Sequence, residues 1–186
     1  MNWKIKSILL AESFFHFTGG LLAPILAIFV EDIGGGIVAA AWAWSIFSIS
    51  TGITLYIMGV YTDRLKNNSW LIILGYLLCS FAFLGYVFVS TFWHLFLVEA
   101  LFGLGWALGT PATDAIYALN LPKKKIASQF ALWEAITYIF GGIAAIVGGL
   151  VVVAFSFKAL FIFMFIISLI PVMIALYMEI TLATGP

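Results

Sequence analysis

The chain has 186 residues, 65% of them hydrophobic and 9% charged, with a mean hydropathy of +1.19 and no net charge. A soluble domain carries about a quarter of its residues as charges, so water is not the solvent for most of this surface. Neutrality removes the basic footprint that nucleic-acid binding needs, and the single cysteine, Cys79, excludes an internal disulfide.

A helix needs about 20 apolar residues to cross about 30 Å of hydrocarbon. Six such runs are predicted: Ile8–Val30, Gly36–Val60, Trp70–Ser90, His94–Leu119, Ser128–Phe155 and Ala159–Met178. The first is too long for a signal-peptide core and no small-residue cleavage site follows it. Its Gly19, Gly20 and Pro24 predict a bend. The connections Glu31–Gly35, Tyr61–Ser69, Thr91–Trp93, Asn120–Ala127 and Ser156–Lys158 leave no room for a soluble domain. The expected fold is an all-α integral membrane bundle, residues 1–186 forming one six-helix domain.

If the helices alternate, Lys4, Lys6, Arg64, Lys66, Lys123, Lys124 and Lys125 fall on one side. The other side holds Lys158 with Glu31 and Asp32. The positive-inside rule then puts both termini in the cytoplasm of a multi-pass cell-membrane protein. Trp3, Trp70 and Trp93 stand at span ends, where an aromatic belt is expected. The Lys123–Lys125 run is first a topology signal and secondarily an attraction for anionic lipid.

Helices in a bilayer associate through close packing at small residues. The second span carries Ala39 to Ala41, Ala43, Ser45, Ser48, Ser50, Thr51 and Gly52. The fourth carries Gly103, Gly105 and Gly109 before Pro111, and the fifth Gly141, Gly142, Ala145, Gly148 and Gly149. These glycines, Gly103, Gly141, Gly142, Gly148 and Gly149 in particular, are expected at helix contacts, in a bundle that is either simply tight or able to rock.

A charge near the bilayer centre is expensive, from about 2.5 kcal/mol upward, and is a functional candidate. Glu12, Glu99, Asp114 and Glu134 fall inside spans, with His16, and no Lys or Arg lies deep in any span. Glu12 and His16, four apart, share a helix face. They are either a proton-relay or substrate-binding pair on a central cavity or a hydrogen-bonded pair at its cytoplasmic mouth. Glu99, Gly103, Trp106, Thr110 and Asp114 recur at spacings of three and four, one stripe of the fourth span. Glu99 is either a protonatable coupling or substrate-contact residue or a carboxyl bonded to a neighbouring hydroxyl. Trp42, Trp44, Phe47, Trp106, Trp133 and Tyr138 are candidates to line an apolar cavity, with lipid contact or packing as the alternative.

At the second connection Gly59-Val60-Tyr61-Thr62-Asp63-Arg64 resembles the Gly-x-x-x-Asp-Arg motif A of the major facilitator superfamily, which lies between the second and third helices of each half. Glu99-Ala100-Leu101-Phe102-Gly103-Leu104-Gly105 is similar to that family's fourth-helix segment, with Glu99 where the family has an arginine. Gly141 to Gly149 resembles the antiporter motif of the fifth helix, with Ala145 near the place of its proline. The resemblance covers the whole chain and half of the family's twelve helices. It implies alternating access about a midplane cavity walled by helices 1, 2, 4 and 5, and two six-helix halves related by an axis along the membrane normal. It also implies that Asp114 joins Gly59, Asp63, Arg64 and Glu134 in a cytoplasmic charge cluster latching one conformation, with independent snorkelling of these side chains as the alternative.

The expected function is a secondary transporter, proton-coupled and exporting a small organic molecule, built as a homodimer or with a partner half. A non-transporting accessory or scaffold module, or a truncated transporter, is the alternative. No HExxH, GxSxG, Walker A or GxGxxG pattern and no metal-ligand cluster occurs in the sequence. Enzymatic chemistry, a cofactor and a metal are therefore not expected.

Overall fold

The computed structural model describes residues 2–65 and 68–184, with side chains through 181; the loop lysine Lys66 lies outside the described residues. The described chain is helical: α1 (Trp3–Leu22), a single 3-10 turn (Ala23–Ile25), α2 (Leu26–Asp32), α3 (Ile37–Thr62), α4 (Ser69–Tyr86), α5 (Phe92–Asn120), α6 (Ile126–Ala154) and α7 (Phe157–Thr184). Counting α1 and α2 as one interrupted span, six helices are long and apolar enough to cross a membrane. Hydropathy located them well, but the ends moved. The first span starts at Trp3, because Asn2 caps it by accepting from the Lys4 amide at 3.3 Å. The third stops at Tyr86, four residues before the expected Ser90.

The break in the first span falls at Pro24. Proline has no N–H to bond the carbonyl four residues back, so the helix tightens into a 3-10 turn there and resumes at Leu26. Gly34, at φ 79°, ends α2 in a left-handed conformation that suits glycine. At the far end of α5, Leu121 turns extended (ψ 141°) ahead of Pro122, as the residue before a proline prefers.

The helices alternate in direction. Ile8 of α1, Ser69 of α4, Thr113 of α5 and Met178 of α7 meet at one end, here called the basic end. Phe29 of α2, Tyr86 of α4 and Phe157 and Phe161 of α7 meet at the other. Packing pairs α1 with α6 and α7, α5 with α3 and α4, and α4 with α7.

Glycine lets three of these pairs touch backbone to backbone. A methyl group on Gly75 of α4 would stand 2.9 Å from the Gly105 carbonyl oxygen and the Gly109 nitrogen of α5. One on Gly20 of α1 would stand 2.9 Å from the Gly141 carbonyl oxygen of α6, and one on Gly148 would strike the Leu21 carbonyl. Gly103 lies against Ser50 and Phe47 of α3, and Thr51 donates to its carbonyl at 3.4 Å. Such contacts are the main source of helix association where lipid removes the hydrophobic drive. The Ser80 hydroxyl adds a polar tie, shared between the carbonyls of Tyr76 (2.9 Å) and Ser168 of α7 (3.1 Å).

Of the expected packing glycines, Gly142 and Gly149 show no close helix contact, and Gly141 makes its contact through the backbone alone. A side chain added at Gly141, Gly142 or Gly149 would meet no atom of the described chain. Gly141 supplies only its backbone, to Gly20, while Gly142 lies on a cavity wall. The cause is the position of α6, which packs along one edge and buries only Ala144 and Gly148. Helix α3 is similarly bare and buries only Ala43, Thr54 and Thr62.

Candidate functional site

Between α1, α3, α4, α5 and α6 lies a cavity of about 1160 Å³ toward the basic end, bordered by Glu12, His16, Trp106, Asp114, Glu134 and Tyr138. A second, of about 610 Å³, continues toward the opposite end past Glu99, Phe102 and Gly142. His16, Trp44, Trp106, Thr137 and Tyr138 border both. Trp106 is the centre of the division. Phe15, His16, Phe47 and Phe102 surround it with ring centroids 4.7, 5.2, 6.0 and 5.7 Å away.

Each cavity has a buried glutamate held by a tyrosine of α4. Tyr76 donates to Glu12 Oε1 at 2.7 Å, and His16 Nε2 lies 3.3 Å from Glu12 Oε2. Tyr86 donates to Glu99 Oε1, also at 2.7 Å. Glu12 is 8% and Glu99 3% exposed. Ten residues separate the tyrosines, so the two pairs stand about 15 Å apart along α4 at about 1.5 Å per residue. The neighbours were not legible in advance: Tyr76 is 64 residues from Glu12 and Tyr86 is 13 from Glu99. A tyrosine in an apolar run reads as belt or filling. The one usable signal was negative, since a buried carboxyl without a cation needs a hydroxyl or amide partner.

The fourth-span stripe divides. Glu99 and Trp106 face the second cavity, and Trp106, Thr110 and Asp114 the first, while Gly103 turns to α3. Thr110 bonds back to the Trp106 carbonyl at 2.6 Å, one residue before Pro111 interrupts the hydrogen-bond ladder of α5. Among the aromatic candidates, Trp44, Trp106, Trp133 and Tyr138 border the cavities, and Phe47 the second one. Trp42 does not; it lies in a separate apolar groove at the opposite end, with Trp93 and Phe96.

The charge cluster of the basic end is not assembled. Among the described residues the ion pair found is Glu12–His16, and none joins Asp63, Arg64, Asp114 or Glu134. Asp114 and Glu134 border the first cavity from α5 and α6, whereas Asp63 and Arg64 stand exposed past the end of α3, which Gly59 precedes. All four side chains are exposed, the first pair on the cavity and the second away from it. No group of three or more His, Cys, Asp or Glu suited to a metal occurs among the described residues.

Six helices long and apolar enough to cross a membrane, around a cavity with buried carboxyls, define a multi-pass membrane protein. The family model described as Major Facilitator Superfamily matches residues 8–183, and the chain belongs to that family. Among curated proteins it is similar to the "Multi-drug resistance efflux pump PmrA" of two strains of Streptococcus pneumoniae, at 27% identity over 86% of this chain and 40% of the relative. It is also similar to the "Uncharacterized MFS-type transporter MJ1560" of Methanocaldococcus jannaschii, at 24% identity over 77% of this chain and 37% of the relative. The chain spans about two fifths of the length of these relatives.

Proposed function

We propose that this chain is one six-helix half of a secondary transporter that exports a small organic molecule in exchange for protons by alternating access. The observation that carries this reading is the pair of buried glutamates, Glu12 and Glu99, at two levels of one cavity system on either side of Trp106. A phenol can donate to a charged carboxylate and remain a partner of the neutral acid. Each glutamate can therefore gain and lose a proton without leaving its tyrosine, which a coupling residue requires. Asp114, bordering the same cavity as Glu12, gives protons from the basic end a first acceptor.

The walls also favour a class of substrate. They offer carboxylates and the faces of Phe47, Phe102 and Trp106, and among the described residues no lysine or arginine borders either cavity. Carboxylates and aromatic faces attract organic cations, so the substrate class is a cationic or neutral amphipathic molecule. Export, with the basic end in the cytoplasm of the cell membrane, agrees with the word efflux in the name of the pneumococcal relatives. A second six-helix unit, either another copy in a homodimer or a partner half, completes the cavity against the bare faces of α3 and α6.

The test is flux of a lipophilic fluorescent cation in proteoliposomes, with and without a proton gradient. Gradient-driven flux that Glu99→Gln and Glu12→Gln each reduce supports the reading. Flux indifferent to both substitutions, or none under any gradient from folded protein, overturns it and leaves an accessory membrane module.

A further inference from the structure

The basic end carries a surface that the transport reading does not use. Three consecutive lysines, Lys123, Lys124 and Lys125, are exposed on the turn between α5 and α6. The turn is built rather than loose. The Lys125 amide donates to the Pro122 carbonyl at 2.8 Å, and the Lys125 carbonyl accepts from the Gln129 amide and the Ser128 hydroxyl, both at 3.0 Å. Tyr117 of α5 donates to the Gln129 carbonyl of α6 at 2.7 Å and closes the two helices below the turn. Leu121 is buried with Ile5, Ile8, Leu9, Tyr117 and Met178 in a small core separate from the main one.

This base also draws in the start of α1. Asn2 Nδ2 donates to Asn120 Oδ1 at 3.0 Å, and Asn120 Nδ2 donates to the Ile116 carbonyl at 2.8 Å. The asparagine link holds the start of α1, and with it Lys4 and Lys6 on opposite sides of that helix, at the end that carries the lysine turn. Five lysines thus gather at one end of the bundle, three of them consecutive on the turn, with Trp3 and Ile126 exposed at the same end. The acids at this end are Asp63 at the end of α3, Glu179 on α7, and Asp114 and Glu134 bordering the cavity. The opposite end has Lys158 as its basic residue, against Glu31 and Asp32.

We infer that the Lys123–Lys125 turn, with Lys4 and Lys6 at the same end of the bundle, is a docking surface for anionic phospholipid headgroups of the adjacent leaflet. The charge is complementary and clustered, and the hydrogen-bonded turn fixes it where headgroup phosphates lie. Basic residues next to a membrane span attract anionic lipid, and several together discriminate strongly against zwitterionic lipid. The turn joins α5 to α6, which border the first cavity, so a lipid held there bears on the two helices that frame its mouth. The inference does not depend on the transport reading, since lipid binding is measured without flux.

The experiment is native mass spectrometry of the full chain titrated with phosphatidylglycerol or phosphatidylcholine of identical acyl chains. Phosphatidylglycerol is expected to bind at least tenfold more tightly, with the preference shrinking as salt screens the charges. The combined substitutions K123Q, K124Q and K125Q are expected to weaken its binding about a hundredfold, and Lys124→Gln alone about fivefold. The single substitution keeps the test valid if removing three lysines disturbs insertion. Asn120→Ala, which removes no charge, should weaken binding severalfold by releasing the start of α1, and Lys158→Gln should change nothing. Equal binding of the two lipids, a loss at Lys158→Gln matching that at the turn, or displacement of bound lipid by millimolar glycerol 3-phosphate each overturns the inference.

Discussion

The two glutamate–tyrosine pairs share a helix and a hydrogen-bond length but not an environment. Glu12 has two partners, Tyr76 and His16, and faces the larger cavity, which Asp114 and Glu134 also border. Among the described residues Glu99 has Tyr86 as its one side-chain hydrogen-bond partner and borders a cavity with Phe83, Phe102 and Met164. Tyr86 is itself stacked on Phe161 at 5.2 Å between centroids. The first glutamate has two side-chain partners and acidic neighbours, and the second has one such partner among the described residues, in aromatic and apolar surroundings. With the same chemistry in both, surroundings decide how much each carboxyl can be replaced.

That contrast breaks most visibly under Glu99→Gln. The substitution keeps the shape and removes the carboxyl that borders the second cavity, so gradient-driven flux should fall at least a hundredfold in the liposome assay while the protein stays folded. Glu12→Gln should reduce flux only about tenfold, because Asp114 and His16 remain beside it. Equal losses would mean that the two sites act as one. The tyrosines sharpen the comparison through stability. Leaving a buried polar group without its partner costs about 1–3 kcal/mol, so Tyr86→Phe should lower thermal stability in detergent by that amount. Tyr76→Phe should lower it by less, since His16 still holds Glu12. The smallest effects separate the glycines. Gly105→Ala forces a methyl within 2.9 Å of the Cys79 nitrogen and sulfur and should destabilise by about 1–3 kcal/mol, whereas Gly142→Ala meets open space and should leave the melting temperature unchanged.

The sequence made the spans readable because hydropathy over twenty residues averages out individual positions, and the Pro24 interruption was readable because proline acts locally. The family motifs were equally legible, and the family model covers nearly the whole chain. What escaped was pairing between helices. Gly20 and Gly75 look like any small residue in an apolar run, yet they bring α1 onto α6 and α4 onto α5, while Gly149, in a richer glycine run, meets nothing. The charges of Asp63, Arg64, Asp114 and Glu134 suggested one cluster. Where they lie depends on the gap between α5 and α6, a tertiary property that spacing along the chain does not contain.

The order of helix packing has a consequence for biosynthesis. Of these helices, α1 is made before the others, and it takes its main partners, α6 and α7, from the last third of this sequence. About a hundred residues separate Leu22 from Ile126, and at roughly 5–20 residues per second their synthesis lasts about 5–20 s. Through that interval the acidic, histidine-bearing face of α1 is without the helix that covers Gly20 and Leu21. His16 accompanies Glu12 on the same helix, and Tyr76, arriving with α4, is the first partner that another helix brings to it. The phenol thus acts as a temporary escort for a carboxyl waiting in the membrane, and slowed translation or loss of that hydroxyl should show first as α1 slipping back out of the bilayer during insertion.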